Sequence, residues 1–524
     1  MLCDCFHLYN MTDRSQNNKR IAKNTIFLYI RMLFLMTITL FTSRIVLDKL
    51  GIEDFGIYNV VGGLTSMFIF FQSSLANATQ RFLNIELGKN NIKGANDVFC
   101  QHLILYLVVS VIIIFLGETI GLWFVYNKLT IPPERLTAAI WVYQFTLISL
   151  CITLMGIVFN SEIIAHEDMN IYSYVGIFEG CARLAIAYAI SITPFDRLIV
   201  YGFLMLFVSL IVQSTYFIYC RKRYQECKLY YIWDKSLFKK TSSIVGWNTV
   251  GTAVYAINDS GVNILLNMFF GPVVNAARGI SFQINNAVNN FTTNFFVSVR
   301  PQIVKSYAQG DNQYLLKLFY NSSKYSFLLL WVLCLSLGLC IDRILHLWLK
   351  EVPNYTNIFT LWIFAYSLVN VLNNPVWSVA LAVGKLKKYI SVGSTVFLLV
   401  FPLAYIALKS GYSPVCVFII LFIVRLCYLV VVLTIIKPYI NYSVIDYFKL
   451  VILPICYVMV LSFIVNFIIK NILPDTQTMM FIFIILSLIV TCISTWLVGI
   501  SKNEKKYIIS ILRKYINKNE NENN

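Results

Sequence analysis

Charge is scarce in this chain. Only 13% of its 524 residues are Asp, Glu, Lys or Arg, about half the 25% or so of a soluble domain. That shortage excludes an ordinary globular enzyme. Long polar stretches are missing too. No gap between apolar runs exceeds about 25 residues, too short for an independent soluble domain of ~50 or more. Histidine is rarer still: His7, His102, His166 and His346 are the only four. None sits beside a nucleophile by sequence, and no acidic pair or metal-ligand cluster appears in a loop. We therefore expect no enzyme, no cofactor and no bound metal. Thirteen cysteines occur. Cys3 and Cys5 are close, but no second pair completes a zinc-type spacing. Cys100, Cys151, Cys334 and Cys492 lie in apolar runs and read as small buried residues. No cleavable signal is evident, because no small-residue cleavage site follows the first apolar run. Residues 1–10 differ from the polar, basic stretch after them, which leaves Met1 and Met11 as alternative starts.

What fills the chain instead is apolar: 58% of residues. Runs of about 20 such residues, the length of a membrane-crossing helix, recur about fourteen times. We place spans at 24–47, 56–80, 101–126, 138–160, 171–193, 198–220, 244–268, 273–298, 325–348, 356–382, 388–409, 414–437, 448–470 and 478–500. The fold class is all-α, a polytopic membrane protein. The net charge of +17 would suggest nucleic acid in a soluble chain. Here no basic domain stands apart from the spans, so none is expected. Lys and Arg crowd into every second gap, with 29 on one side, 8 on the other and 5 within spans. By the positive-inside rule both termini are cytoplasmic and the number of spans is even.

Spans 1–2 and 7–8 share punctuation. LDKLGIEDFGIYNVV, then Arg81, then GKNN is echoed by LNMFFGPVVNAARGI, then Arg300, then GDNQ. Gly51 pairs with Gly271, Arg81 with Arg300 and Gly88 with Gly310, all near 220 residues apart. EIIAHEDM (162–169) and VALAVGKL (379–386) extend the echo. An offset of six spans gives two parallel six-helix halves. The expected layout is a cytoplasmic segment 1–23, an N-lobe 24–220, a basic linker 221–243, a C-lobe 244–437, two extra helices in 438–500 and a polar tail 501–524. The lobes are pseudo-symmetric and enclose a central cavity.

A charge within hydrocarbon costs about 2.5–3.5 kcal/mol on insertion scales. Each therefore asks for a partner or a task. Arg31 and Arg278 would be cationic stations at different depths of the cavity, with snorkelling as the alternative. Arg44 is spaced to meet Asp48, and Glu179 to meet Arg183. Arg425 and Glu118 have no obvious partner in sequence. Asp259 is either a titrating or cation-binding acid, a possible coupling group, or a partner of Arg278. Amides are unusually dense on spans 2, 7 and 8. Gln72, Gln283, Asn285 and Asn289 are expected to line a wet cavity and bind sugar hydroxyls, although amides also join helices.

At YIRMLFLM (29–36), TSRIVLDKLGIEDFGIYNVVGG (42–63) and QRFLNIELGK (80–89) the chain resembles the multidrug/oligosaccharidyl-lipid/polysaccharide exporter superfamily. Within it, the resemblance is to the bacterial polysaccharide (O-antigen, Wzx-type) flippases. That resemblance implies two six-helix lobes plus two C-terminal helices in the bacterial inner membrane. It implies transfer of an undecaprenyl-pyrophosphate-linked oligosaccharide between leaflets by alternating access, with Arg31 and Arg278 meeting the pyrophosphate. The implied partners are this lipid-linked oligosaccharide, membrane lipids, and a polysaccharide polymerase with other assembly proteins. A cation-coupled multidrug exporter of the same superfamily is the alternative. The absence of an interior acid on span 1, where Arg31 stands, weighs against it.

Overall fold

A computed structural model of the chain describes residues 34–506, apart from 66, 69, 167, 233, 384, 385, 475 and 503. Helices are the only regular secondary structure among the described residues. They run as α1 (34–65), α2 (Phe70–Gly88), α3 (Ile92–Leu116), α4 (Leu122–Asn127), α5 (Leu136–Ala165), α6 (Met169–Ile192), α7 (Arg197–Arg223), α8 (Lys235–Phe270), α9 (Pro272–Ala308), α10 (Asn312–Gly338), α11 (Ile341–Trp348), α12 (Thr356–Val371), α13 (Asn373–Val383), α14 (Leu386–Leu398), α15 (Val400–Lys409), α16 (Val415–Ile440), α17 (Val444–Tyr447), α18 (Leu453–Ile472) and α19 (Gln477–Ser494). Nine described stretches are helices long and apolar enough to cross a membrane. Their large apolar side chains stay exposed, as at Leu107, Val111 and Phe115 on α3. So much exposed apolar surface suits lipid rather than water. The chain is a multi-pass membrane protein. Contacts divide it into two compact units, one ending at Ala276 and one beginning at Ala277.

The first unit is built around α5, which packs along α7 through small residues. Val142 Cγ2 lies 3.2 Å from where a Cβ on Gly202 would be, and a Cβ on Gly156 would sit 1.6 Å from Gln213 Oε1. Ser149 Oγ donates to Ser209 Oγ at 2.7 Å between them. Close backbones and hydroxyl bridges suit helices in lipid, where apolar burial supplies little attraction. An edge-to-face run of Phe99, Phe159 and Phe217, with centroids 5.5 and 5.3 Å apart, continues this core.

The second unit centres on α12 against α16, with Phe359 and Phe418 rings 4.2 Å apart. The two C-terminal helices belong here and are fastened by buried polar groups. Trp331 Nε1 of α10 donates to Ser462 Oγ of α18 at 2.9 Å. Ser336 of α10 meets Ser487 of α19 at 2.9 Å, and Asn466 Nδ2 reaches Thr491 Oγ1 at 3.2 Å. At the start of the tail, Glu504 grips the buried Lys324 of α10 with both oxygens, at 2.9 and 3.0 Å.

The repeat is visible in the backbone. Gly51 (φ +81°) and Gly271 (φ +76°) are both left-handed, 220 positions apart. Gly51 lies within α1, and Gly271 separates α8 from α9. The chain folds back at Gly271. Asn275 Nδ2 donates to the Asn263 carbonyl at 2.7 Å, whereas twelve residues of straight helix would hold them about 18 Å apart. The next turn repeats bond for bond. Asn90 (φ +54°) and Gly310 (φ +72°) are the left-handed residues. Asn91 N donates to Glu86 O at 2.9 Å, and Asp311 N to Ser306 O at 3.1 Å. The Asn91 side chain caps α3 at Gly94 N as Asp311 caps α10 at Tyr314 N, each at 3.0 Å. Every one of these pairs is offset by 220. The expected pairing of Gly88 with Gly310 is thus corrected: Asn90 fills Gly310's role, because asparagine tolerates the left-handed region.

Candidate functional site

The sequence-expected site residues meet different fates. Arg31 lies outside the described residues. Gln72 on α2 is half-buried, and Asp259 on α8 is exposed. Arg278 is 7% exposed, and its guanidinium carbon lies 4.3 Å from the Phe282 ring centroid, a cation–π contact. Arg278, Phe282, Asn285 and Asn289 are spaced i, i+4, i+7 and i+11, so they share one stripe of α9. Its amides are engaged with α12. Ser367 Oγ donates to Asn285 Oδ1 at 2.7 Å, and Asn289 Nδ2 donates to Ser367 Oγ at 3.2 Å and to the Asn285 carbonyl at 2.9 Å. Gln283, off that stripe, keeps a buried Oε1 with no hydrogen-bond partner among the described residues.

Several neighbouring amides bind backbone inside the first unit. Asn263 Nδ2 donates to the Asn59 carbonyl of α1 at 3.0 Å. Asn267 Oδ1 accepts from Thr130 N at 2.8 Å, and its Nδ2 reaches back to Thr130 O at 3.4 Å. These amides close helix ends and seams, the structural half of the two uses open to them.

Four other intramembrane charges find partners, while the Asp48 carboxylate meets Lys49 at 3.3 Å. Arg183 Nη2 meets Glu179 Oε1 at 2.6 Å, as their i, i+4 spacing suggests. Glu118 Oε2 accepts from Gln144 Nε2 of α5 at 3.1 Å. Arg425, 3% exposed, sits among three rings, 4.4 Å from the Tyr428 centroid, 5.8 Å from Phe397 and 6.0 Å from Tyr366. It also donates to Asn370 Oδ1. The signal in sequence was Tyr428, three residues on along one helix face; the other rings come from α12 and α14.

Two polar clusters were not foreseen. Arg135, just before α5, forks onto Asp54 of α1 with Nε and Nη2 at 2.7 and 2.6 Å. Its Nη1 reaches Asp196, the N-cap of α7, at 2.5 Å. At the other end of α5, Glu162, His166 and Glu226 place their ligand-capable atoms within 4.8 Å of one another. Sixty residues separate His166 from Glu226, so no local spacing announced it.

No family model matches the chain, and no curated protein matches it. Solved structures do. A multidrug resistance MATE family transporter of the MOP superfamily, in its inward-facing conformation, is similar at TM-score 0.66 and 14% identity, over 80% of this chain and 98% of that one. The lipid II flippase MurJ, inward closed, is similar at TM-score 0.66 and 14% identity, over 90% and 98%. A MATE structure in complex with MaD3S gives 0.59 at 14% identity, over 80% and 96%. At such identity the likeness establishes the fold alone, the one these solved structures share. These neighbours are transporters and a flippase rather than enzymes.

Proposed function

We propose that this protein is a flippase for an undecaprenyl-pyrophosphate-linked oligosaccharide in the bacterial inner membrane, with both termini cytoplasmic. The observation that carries the reading is Arg278, a guanidinium withdrawn from solvent on a long amide-bearing helix of an exporter fold. An anionic headgroup is the cargo a fixed cation would recognise, and guanidinium suits pyrophosphate oxygens. Arg31 would supply a second station. Gln72 and Gln283 would meet sugar hydroxyls, with Asn285 and Asn289 holding the Arg278 stripe against α12.

Proteoliposomes loaded with the lipid-linked oligosaccharide test the reading, with exposure of the sugar to an external glycosidase as the readout. Wild type should translocate it, and Arg278→Ala should lower the rate at least about tenfold, the equivalent of one charged contact, with unchanged folded yield. Normal transfer by Arg278→Ala would remove the phosphate-station role. The second reading, a cation-coupled multidrug exporter, is favoured by the exposed Asp259 on α8. Under it, Asp259→Asn would abolish efflux of a cationic dye and the oligosaccharide would not move.

A further inference from the structure

The end of α5 and the segment after α7 meet in a cluster that transport of the main cargo does not use. Glu162 and His166 are one helical turn apart and share a face. His166 closes α5 as its C-cap. Glu226 comes from the segment 224–234, which is strapped down along its length. Asn96 of α3 donates to the Glu226 and Lys228 carbonyls, Cys100 Sγ lies 3.1 Å from Lys228 O, and Gln101 Nε2 donates to Asp234 O at 2.7 Å.

Glu162 is the unexplained member. It is 0% exposed, and neither carboxylate oxygen has a hydrogen-bond partner among the described residues. A second carboxylate, Glu226, stands close by and takes the His166 Nε2 contact at 2.5 Å. Two buried carboxylates facing one half-buried imidazole ask for a positive charge. The imidazole is also held in place: the Tyr224 ring stacks on it at 4.1 Å and 6°, and the Tyr224 hydroxyl donates to Asp168 Oδ2 at 2.6 Å. Stacking of that kind fixes the plane of the imidazole.

We propose that Glu162, His166 and Glu226 bind one divalent transition cation, which fastens the 224–234 segment to the end of α5. One imidazole nitrogen with two carboxylate oxygens suits Zn²⁺, Co²⁺ or Mn²⁺ better than Ca²⁺ or Mg²⁺, which favour all-oxygen sets. The donor atoms lie within 4.8 Å of one another, so a tetrahedral zinc shell with edges of roughly 3.3 Å needs shifts of about 1 Å, with the His166 Nε2–Glu226 Oε1 pair opening from 2.5 Å.

The test uses the full-length chain without a polyhistidine tag, in nanodiscs, stripped with EDTA and titrated with Zn²⁺ against a chromophoric chelator. Wild type should bind one equivalent and gain thermal stability from it. Glu162→Gln and His166→Gln should each weaken binding at least about tenfold and lose the thermal response. Should either helix variant fail to fold, Glu226→Gln, in the strapped segment, should give the same result. Wild-type affinity retained by the variants would overturn the site. So would a wild type indifferent to Zn²⁺ with a Glu162→Gln variant of equal or greater stability, which would identify a proton as the occupant.

Discussion

A single arginine shows how far residue-scale reading reaches. Glu179–Arg183 was legible because both partners sit on one helix face. Arg135 was not, because its partners lie 81 and 61 positions away. Its planar fork bonds Asp54 through Nε and Nη2 and Asp196 through Nη1 and Nη2, a geometry lysine cannot reproduce. Arg135→Lys should therefore destabilise the protein by about 1–2 kcal/mol, less than a fully buried network because all three side chains keep some solvent contact. The effect carries a pH signature. Burial alone would raise the Asp196 carboxyl, but the Arg135 bonds and the N–H groups of Ile199 and Leu198 outweigh it and hold it below the usual carboxylate range. Such a group lends its stability above its unfolded value near 4 and loses it as pH falls through the lower folded value. Burial instead raises the Asp54 carboxyl above its ordinary value, so melting curves should show the full Arg135→Lys deficit at pH 7, shrinking as pH falls first through the Asp54 value and then through that of Asp196.

Among the elements, the amide-rich helices were the hardest to read. Composition put many amides on α8 and α9, but which bind helices and which face a cavity depends on partners such as Ser367 and Thr130 that no local pattern names. The turns were easier, since glycine at a helix end announces a left-handed residue. A Cβ at Gly51 would meet nothing within 4 Å, and at Gly271 only Thr130 Cγ2 at 4.0 Å. Gly51→Ala and Gly271→Ala should thus each cost only the backbone penalty, about 1–2 kcal/mol, and by similar amounts. Asn90→Gly should be neutral or slightly stabilising. Gly56 differs: its Cβ would fall 1.9 Å from the Pro272 carbonyl oxygen, so Gly56→Ala should cost more than either turn variant. Denaturation of the purified variants ranks them, and a Gly56→Ala protein as stable as Gly51→Ala would contradict this packing.

For the whole molecule, hydropathy and basic-residue counting were enough to identify a polytopic helical protein. They overcounted uniformity. Stretches 34–65, 70–88, 235–270 and 272–308 fall outside the nine stretches apolar enough to cross on composition alone, because polar and charged groups dilute their hydropathy, and 356–383 falls outside because it is broken at Leu372 into helices of 16 and 11 residues. Orientation rests on the lysine and arginine asymmetry. A fluorescent-protein fusion after residue 506 should therefore glow, and a phosphatase fusion at residue 353 should be active, with the reversed pattern excluding cytoplasmic termini.

The repeated turns also date one event in the chain's history. The offset between copies is 220 at Gly51 and Gly271 and still 220 where α5 and α12 begin, at Leu136 and Thr356. By the next echo, EIIAHEDM (162–169) against VALAVGKL (379–386), it is 217. A loss or gain of three residues therefore separates the two copies within this one interval. It is also where they differ in shape: α5 runs unbroken from Leu136 to Ala165, while its counterpart is interrupted at Leu372 between α12 and α13. The interrupted helix lies in the shorter copy, so the break marks where ancestry and geometry parted.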